Sequence, residues 1–296
     1  MYRARYLWII FYLFLVTSCG GQTASNGDDS TTVPVIYIEN KGSDTIVNLA
    51  LAWAEQYQKL HPEIRISVTG GGSGTGIAAL INGTVDIANA SRQIKEEEIQ
   101  AAVGNGVDPV EYIIARDAIA VIVNPENPVD QLTLQQISAV YSGEINNWSE
   151  LGGEDRPIVR LSRETNSGTH VYFLETVLRL GDEENTTLFS VDTLLLPSSE
   201  GIIAEVRDNP NAIGYDGLGY VTPDVKVLAV ASSATSEYIL PSANSVNADA
   251  YPIARDLYMY TASAPDEALL VYLDWILSSE AQQIVTELGF VPVKIP

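Results

Sequence analysis

The chain has 296 residues, and 46% of them are hydrophobic, which is enough to build a core in one large domain or in two of ordinary size. Its formal net charge of −22 repels polyanions, so we expect no nucleic acid among its partners. One cysteine and two histidines provide no cluster of side chains from which a zinc or iron site is built, so we expect no metal and no cofactor.

The chain begins with the pattern of an export signal. Two arginines precede an apolar run at 6–16, which is short for a membrane span but typical of a secretory signal peptide. The run ends in Val16-Thr17-Ser18-Cys19-Gly20, which resembles the lipobox of bacterial lipoproteins, where the cysteine is lipidated and becomes the mature N-terminus. We therefore expect a signal peptide at 1–18 and a lipid on Cys19, the alternative being an ordinary signal with an incidental cysteine. Small polar residues at 19–32 predict a flexible tether.

Beyond the tether, short runs rich in β-branched residues alternate with helical stripes of apolar residues. The strand-like runs are 33–38, 64–68, 85–88, 118–123 and 257–260. The helical stripes lie at 46–60, 77–81, 269–276 and 281–288. This alternation predicts an α/β fold with largely parallel sheets, and we place a boundary between two lobes near residue 117.

Three loops pass from a strand-like run through Gly, Ser and Thr into a helical pattern, at 42–45, 70–76 and 166–169. A helix start leaves N–H groups unpaired and carries partial positive charge, so each loop is able to hold an oxyanion. Arg163, shortly before the third loop, offers a planar, two-pronged contact to phosphate oxygens. The same residue types are ordinary helix N-caps, so one loop alone means little. Three loops and an arginine in so acidic a chain favour an anion site.

Several motifs in and around these loops also match a known family. They are Gly42-Ser43-Asp44-Thr45, Gly72-Ser73-Gly74-Thr75-Gly76-Ile77, Asp86-Ile87-Ala88-Asn89-Ala90-Ser91-Arg92, Tyr141-Ser142-Gly143 with Asn147-Trp148, Gly152-Gly153, Arg163-Glu164 with Ser167-Gly168-Thr169, Ala212-Ile213-Gly214-Tyr215 and Gly289-Phe290-Val291-Pro292. In this order, from about residue 36 to the end, they resemble the phosphate-binding component (PstS-type) of bacterial high-affinity phosphate ABC transporters. The resemblance implies a two-lobe periplasmic-binding-protein (Venus-flytrap) fold with two crossover strands. It places lobe I at 33–116 plus 257–296, lobe II at 117–256, and phosphate in the cleft.

The resemblance also implies which residues contact the ligand. Carried over by position, they are Ser43, Asp44, Thr45, Ser73, Gly74, Thr75, Ser91, Arg163, Ser167, Gly168 and Thr169. Some family members have an aspartate in place of Ser91, and that carboxylate accepts the proton of hydrogen phosphate. We expect Asp44 to accept it here, and we expect Arg163 to be the only full positive charge at the ion.

We therefore expect a monomeric, lipid-anchored binding protein at the outer face of the cytoplasmic membrane or in the periplasm. It would bind one inorganic phosphate and pass it to membrane-embedded ABC permease subunits. The alternatives are a binder of sulfate, molybdate or tungstate, a lipid-anchored signalling protein that has lost transport, and a secreted phosphate-ester hydrolase. Ser167 and His170 invite the hydrolase interpretation, but no Gly-x-Ser-x-Gly elbow surrounds Ser167. We expect no catalytic residues.

Overall fold

The computed structural model describes residues 34–263 and 265–293, so the expected signal peptide, Cys19 and the whole of the expected tether at 19–32 lie outside it. The strands are β1 (Ile36–Gly42), β2 (Ile64–Thr69), β3 (Ile87–Ala90), β4 (Pro109–Val123), β5 (Gln131–Thr133), β6 (Val159–Arg163), β7 (Leu194–Leu196), β8 (Ala212–Gly217), β9 (Lys226–Val227), β10 (Ala229–Ala231) and β11 (Ala254–Ala262). The α-helices are α1 (Asp44–Leu60), α2 (Ser73–Ile81), α3 (Glu96–Gly104), α4 (Leu134–Ser142), α5 (Gly168–Phe173), α6 (Ser199–Asp208), α7 (Ala243–Asn247), α8 (Glu267–Ile276) and α9 (Ser279–Glu287). No helix within the described ranges has the length and apolar character needed to span a bilayer.

The main sheet has the strand order β2-β1-β3-β11-β4-β8-β6-β7, and β9 pairs separately with β4. Strand β4 pairs with β11 over its first part, from Pro109 to Ala118, and with β8 over its second part, from Ile119 to Val123. We call the half formed by β2, β1, β3 and β11 lobe I, and the half formed by β8, β6 and β7 lobe II. The two-lobe α/β fold with two crossover strands, β4 and β11, is thereby confirmed. The expected boundary at residue 117 falls inside β4.

The sequence predicts the second part of β4, at 118–123, as a strand but does not predict the first part, at 109–117, because the two parts differ in composition and burial. Residues 118–123 are apolar and buried throughout, as expected for a strand covered on both faces. The first part mixes charged and apolar residues and is partly exposed, notably at Glu111 and Ile113. One hydrophobic cluster, which includes Ile38 and Ile122, extends through both lobes.

Helix α1 is anchored to α9 by a buried tryptophan. The side chain of Trp53 has no exposed surface, and its Nε1 donates a hydrogen bond of 2.9 Å to the carbonyl of Ala281. Ile46 and Leu49 share the buried face of α1, which gives the helix the apolar stripe that the sequence predicts. The helix therefore begins at the first predicted loop and is held against the rest of lobe I.

We expect Trp53→Phe to lower the free energy of unfolding by about 1–3 kcal/mol, since it removes a hydrogen bond and leaves a void in the core. Leu51→Ala is the matched control, because Leu51 lies on the same helix and is 48% exposed. The control should stay within about 0.5 kcal/mol of the wild type. Urea unfolding midpoints measure both, and equal losses would contradict the anchoring role of Trp53.

Candidate anion-binding site

The first predicted loop joins β1 to α1 and is fixed to β3. Gly42 has φ +146°, and a Cβ at this position would collide with the carbonyl oxygen of Asn89, so only glycine fits. The next residue, Ser43, donates its backbone N–H to the same oxygen at 2.9 Å. Ser43 is buried at the N-cap of α1, and its hydroxyl makes no capping hydrogen bond there. The start of α1 is thus held beside the end of β3.

The glycine-rich loop brings Ser73 to Ser91. A Cβ on Gly76 would collide with the carbonyl of Lys41, so this glycine lets α2 begin tightly against β1. Gly72 has φ +89°, and a Cβ there would collide with the carbonyl oxygen of Asn166 in the third loop. Ser73 is the first residue of α2 and is fully buried. Its Oγ accepts the backbone N–H of Ser91 at 3.0 Å and lies 3.3 Å from the Ser91 hydroxyl oxygen.

The third loop approaches these residues from lobe II. A Cβ on Gly168 would lie 2.6 Å from the Ser91 hydroxyl oxygen and closer still to that of Ser73. The next side chain, Thr169, has its Oγ1 2.9 Å from the Oγ1 of Thr45. The structure therefore brings together four predicted residues from the three loops and Ser91, which follows β3, and all five are buried.

Arg163 and Asp44 form an ion pair at the side of this cluster. The guanidinium of Arg163 is 1% exposed, and its Nη2 donates to Asp44 Oδ2 at 2.7 Å. Its Nη1 donates to the hydroxyl of Ser199 at 2.7 Å, and other N–H groups reach the carbonyls of Leu196 and Pro197. The second oxygen of Asp44 accepts the N–H of Gly71 at 2.9 Å. Both residues are thus held in place by protein partners, and each Asp44 oxygen accepts one protein hydrogen bond.

The remaining predicted residues lie at the rim or beside the loops. The N–H of Gly74 donates to the carbonyl of Asn166 at 3.1 Å, and Asn166 Nδ2 donates to the carbonyl of Gly71 at 2.9 Å. The Thr75 N–H and hydroxyl bond to carbonyls within the glycine-rich loop. Ser167 is the N-cap of α5, is 4% exposed and makes no capping hydrogen bond. Asn166 therefore closes the rim between the lobes, a role that we did not predict.

Sequence reasoning also missed a buried pair on the crossover strands, Arg255 of β11 and Asp117 of β4. The two residues are opposite each other in register, and Arg255 Nη2 donates to Asp117 Oδ2 at 3.0 Å. The same nitrogen lies 3.0 Å from Thr169 Oγ1 and 3.4 Å from Thr45 Oγ1. Our prediction of a single cation took no account of this second guanidinium. The available sequence pattern was an adjacent Arg and Asp in each of the two strands, at 116–117 and at 255–256. Charged residues are rarely fully buried unless they are paired.

Buried carboxyl groups give the floor of the site unusual electrostatics. Burial raises the pKa of Asp117 to about 6, although the Arg255 guanidinium opposes the shift. Burial also raises the pKa of Asp216, opposed by Arg163. Asp216 Oδ1 accepts the Ser199 hydroxyl at 3.0 Å, whereas its Oδ2 has no hydrogen-bond partner among the described residues. The guanidinium groups of Arg255 and Arg163 therefore lie beside carboxyl groups, Asp117 and Asp216, whose ionisation is less favourable than in water.

His170 does not serve Ser167 as a base in this geometry. Its Nδ1 lies 3.0 Å from the hydroxyl oxygen of Ser162, and its ring stacks on Phe189 at 4.6 Å. Burial lowers the pKa of His170. His170 is consequently part of the packing around β6 and is hydrogen-bonded to Ser162 rather than to Ser167.

Comparison with known proteins places these features in a family. Residues 22–280 match the model of the PBP superfamily domain. The phosphate-binding protein PstS of Pseudomonas aeruginosa is 33% identical over 273 residues, which cover 86% of this chain and 83% of that protein. PstS of Bacillus subtilis is 30% identical over 95% of this chain and 91% of its own length.

A solved structure agrees in fold. It is the substrate-binding protein assigned to a phosphate ABC transporter of Clostridium perfringens, solved with bound phosphate. It has a TM-score of 0.78 and 34% identity, and the match covers 87% of this chain and 100% of that one. The chain therefore belongs to the PBP superfamily and, within it, to the family of the phosphate-binding proteins PstS.

Proposed function

We propose that this chain binds one inorganic phosphate ion between its two lobes and delivers it to a membrane-embedded ABC permease. The observation that carries the proposal is the meeting of three Gly/Ser/Thr loops, from both lobes, at one buried place. Phosphate is favoured among tetrahedral oxyanions because the named relatives are phosphate-binding proteins and the Clostridium perfringens structure holds phosphate.

The chemistry of the cluster suits an oxyanion. Hydroxyl groups donate one proton each, and the starts of α1 and α2 add backbone N–H groups and partial positive charge. We propose that the eleven residues carried over from the family contact the ion: Ser43, Asp44, Thr45, Ser73, Gly74, Thr75, Ser91, Arg163, Ser167, Gly168 and Thr169. For Gly74 and Thr75 this requires their N–H groups to leave the carbonyls of Asn166 and Gly72.

Loading and release then depend on movement of the lobes. Donors from opposite lobes reach one ion only when the lobes are close, and the crossover strands β4 and β11 are where a hinge would act. The proposed lobe bounds are 33–116 plus 257–296 and 117–256. The hydrogen bonds of Asn166 to the glycine-rich loop would have to break on opening.

The proposal includes export and anchoring. A signal peptide at 1–18, a lipid on Cys19 and a tether at 19–32 would hold a monomer at the outer face of the cytoplasmic membrane or in the periplasm. The proposed role is transport without catalysis, and the pairing of His170 with Ser162 rather than Ser167 supports it.

Calorimetric titration tests the binding proposal. We expect the purified protein to bind one phosphate, and Gly168→Ala to weaken binding by about tenfold or more, equal to about 1.4 kcal/mol. The added methyl group would collide with the hydroxyls of Ser73 and Ser91 and hold the lobes apart. Gly104→Ala is the control, since a Cβ there meets nothing within 4 Å.

Absence of phosphate binding by the wild type would refute the proposed function. Tighter binding of sulfate or molybdate would identify a different oxyanion as the ligand. Equal affinities of Gly168→Ala and the wild type would show that the ion does not sit between these lobes.

Asp44→Asn tests the proton acceptor. Phosphate carries a proton at neutral pH and sulfate does not, so a carboxylate that accepts this proton favours phosphate. Asp44 Oδ1 and Oδ2 each accept one protein hydrogen bond, which leaves each a further lone pair for the ion. We expect Asp44→Asn to narrow the preference for phosphate over sulfate about tenfold, or about 1.4 kcal/mol, in competition titrations.

The control for this variant is Glu164→Gln, an exposed acid beside Arg163. Its selectivity should equal that of the wild type. If Asp44→Asn leaves the ratio unchanged and Glu164→Gln lowers it, Glu164 is the acceptor and our assignment is wrong.

A further inference from the structure

Arg255 holds a hydroxyl pair that bridges the two lobes. Thr45 belongs to the first loop and Thr169 to the third, and their Oγ1 atoms are 2.9 Å apart. Arg255 Nη2 reaches both oxygens, Thr169 at 3.0 Å and Thr45 at 3.4 Å. Among the described arginines, only Arg255 donates to hydroxyl groups of predicted ligand residues from both lobes.

The guanidinium is held rigidly in this position. Its Nε and Nη2 donate to Asp117 Oδ2, at 3.3 and 3.0 Å, and its Nη1 donates to the carbonyl of Ser91 at 2.9 Å. The ring of Tyr172 lies 5.5 Å from the guanidinium carbon, and Tyr172 donates its hydroxyl to the carbonyl of Ala254 at 2.7 Å. The side chain is 3% exposed. Arg255 therefore has one available orientation.

Hydrogen-bond counting shows what this orientation does to the threonines. A hydroxyl has one proton and two lone pairs, whereas an arginine only donates. Nη2 has two protons, and one is donated to Asp117, so the other goes mainly to the nearer hydroxyl oxygen, that of Thr169. If Thr169 donates to Thr45, the proton of Thr45 stays unused within the pair. If Thr169 accepts from Thr45 instead, both lone pairs of Thr169 are occupied. Its own proton is then left to point away from the pair. The pair thus presents a fixed donor to the cleft, and neither threonine rotates freely.

We propose that Arg255 is a positioning residue of the anion site, which fixes Thr45 and Thr169 as a hydrogen-bond donor for the bound oxyanion. This inference rests on the proposed phosphate-binding function. Phosphate and sulfate both accept from such a donor. Once Arg255 is lost, the hydroxyls rotate and one of them accepts the proton of hydrogen phosphate, which sulfate lacks. Losing Arg255 therefore harms sulfate binding more than phosphate binding.

The test compares Arg255→Lys with Arg116→Lys in competition titrations. Lysine keeps the charge opposite Asp117 but lacks the planar fork that bonds Asp117, the Ser91 carbonyl and Thr169 at the same time. Arg116 and Asp256 occupy the neighbouring register position of the same two strands, and Arg116 bonds to Asp249 outside the site, which makes it a matched control. We expect Arg255→Lys to lower the affinity for phosphate about tenfold and the affinity for sulfate several times further. Arg116→Lys should change neither affinity.

A double-mutant cycle with Thr169→Val gives a second readout. Valine removes the hydroxyl that Arg255 positions. Arg255→Lys should therefore lower the affinity for phosphate much less in the Thr169→Val protein than in the wild type. If Arg255→Lys fails to fold, the uncharged replacement Asp117→Asn with Arg255→Gln carries the same expectations.

The outcomes separate the two proposals. A wild type that does not bind phosphate overturns the proposed function and, with it, this role of Arg255. If the wild type binds phosphate and Arg255→Lys lowers the affinities for phosphate and sulfate equally, or changes neither affinity, only the positioning role is overturned. Additive effects in the cycle with Thr169→Val would overturn it as well.

Discussion

The close approach of the Gly168 backbone to the hydroxyls of Ser73 and Ser91 is the contact on which the site depends. No side chain fits between them, so the start of α5 in lobe II lies directly against the start of α2 in lobe I. That approach sets Thr169 beside Thr45 and brings the Asn166 loop over the glycine-rich loop. Glycines at 42 and 76 allow similarly close backbone approaches within lobe I, and Gly72 allows one to Asn166 of lobe II.

Binding an anion is an electrostatic problem for a chain with a formal net charge of −22. Long-range attraction is absent, so the ion must be held by short-range donors in a place shielded from solvent. Arg163 and Arg255 supply the charge, but each is paired with acids: Arg163 with Asp44, and Arg255 with Asp117. Burial raises the pKa of Asp117, so this carboxyl group is more easily protonated, and its negative charge more easily neutralised, beside the bound anion. The hydroxyls and backbone N–H groups are therefore as important as the guanidinium groups.

The sequence was a good guide wherever the required feature is local. Gly, Ser and Thr at the junction of a strand and a helix predict an N–H-rich loop, and α1, α2 and α5 do begin within 42–45, 70–76 and 166–169. The resemblance added Ser91, which the structure places against Ser73. Which loops meet across the cleft was implied by the family fold, not by any local pattern.

Features that depend on pairing between distant strands could not be predicted. Arg255 and Asp117 are 138 positions apart, and only the antiparallel register of β11 on β4 puts them together. Each has an opposite charge next to it in its own strand, Arg116 or Asp256, so the local pattern does not indicate the cross-strand pair. The rim contact of Asn166 was hidden for a similar reason, since its partners Gly71 and Gly74 belong to the other lobe. The pairing of Arg163 with Asp44 likewise spans 119 positions.

The most direct measurement is anomalous diffraction from crystals grown with arsenate, a tetrahedral oxyanion whose arsenic atom is located without reference to the protein. The account predicts one arsenic peak, bounded by Ser73 and Ser91 on one side and by Gly168 and Thr169 on the other. It also predicts oxygens within hydrogen-bond distance of hydroxyls from both lobes. An arsenic peak elsewhere, or contacts with one lobe only, would contradict the account.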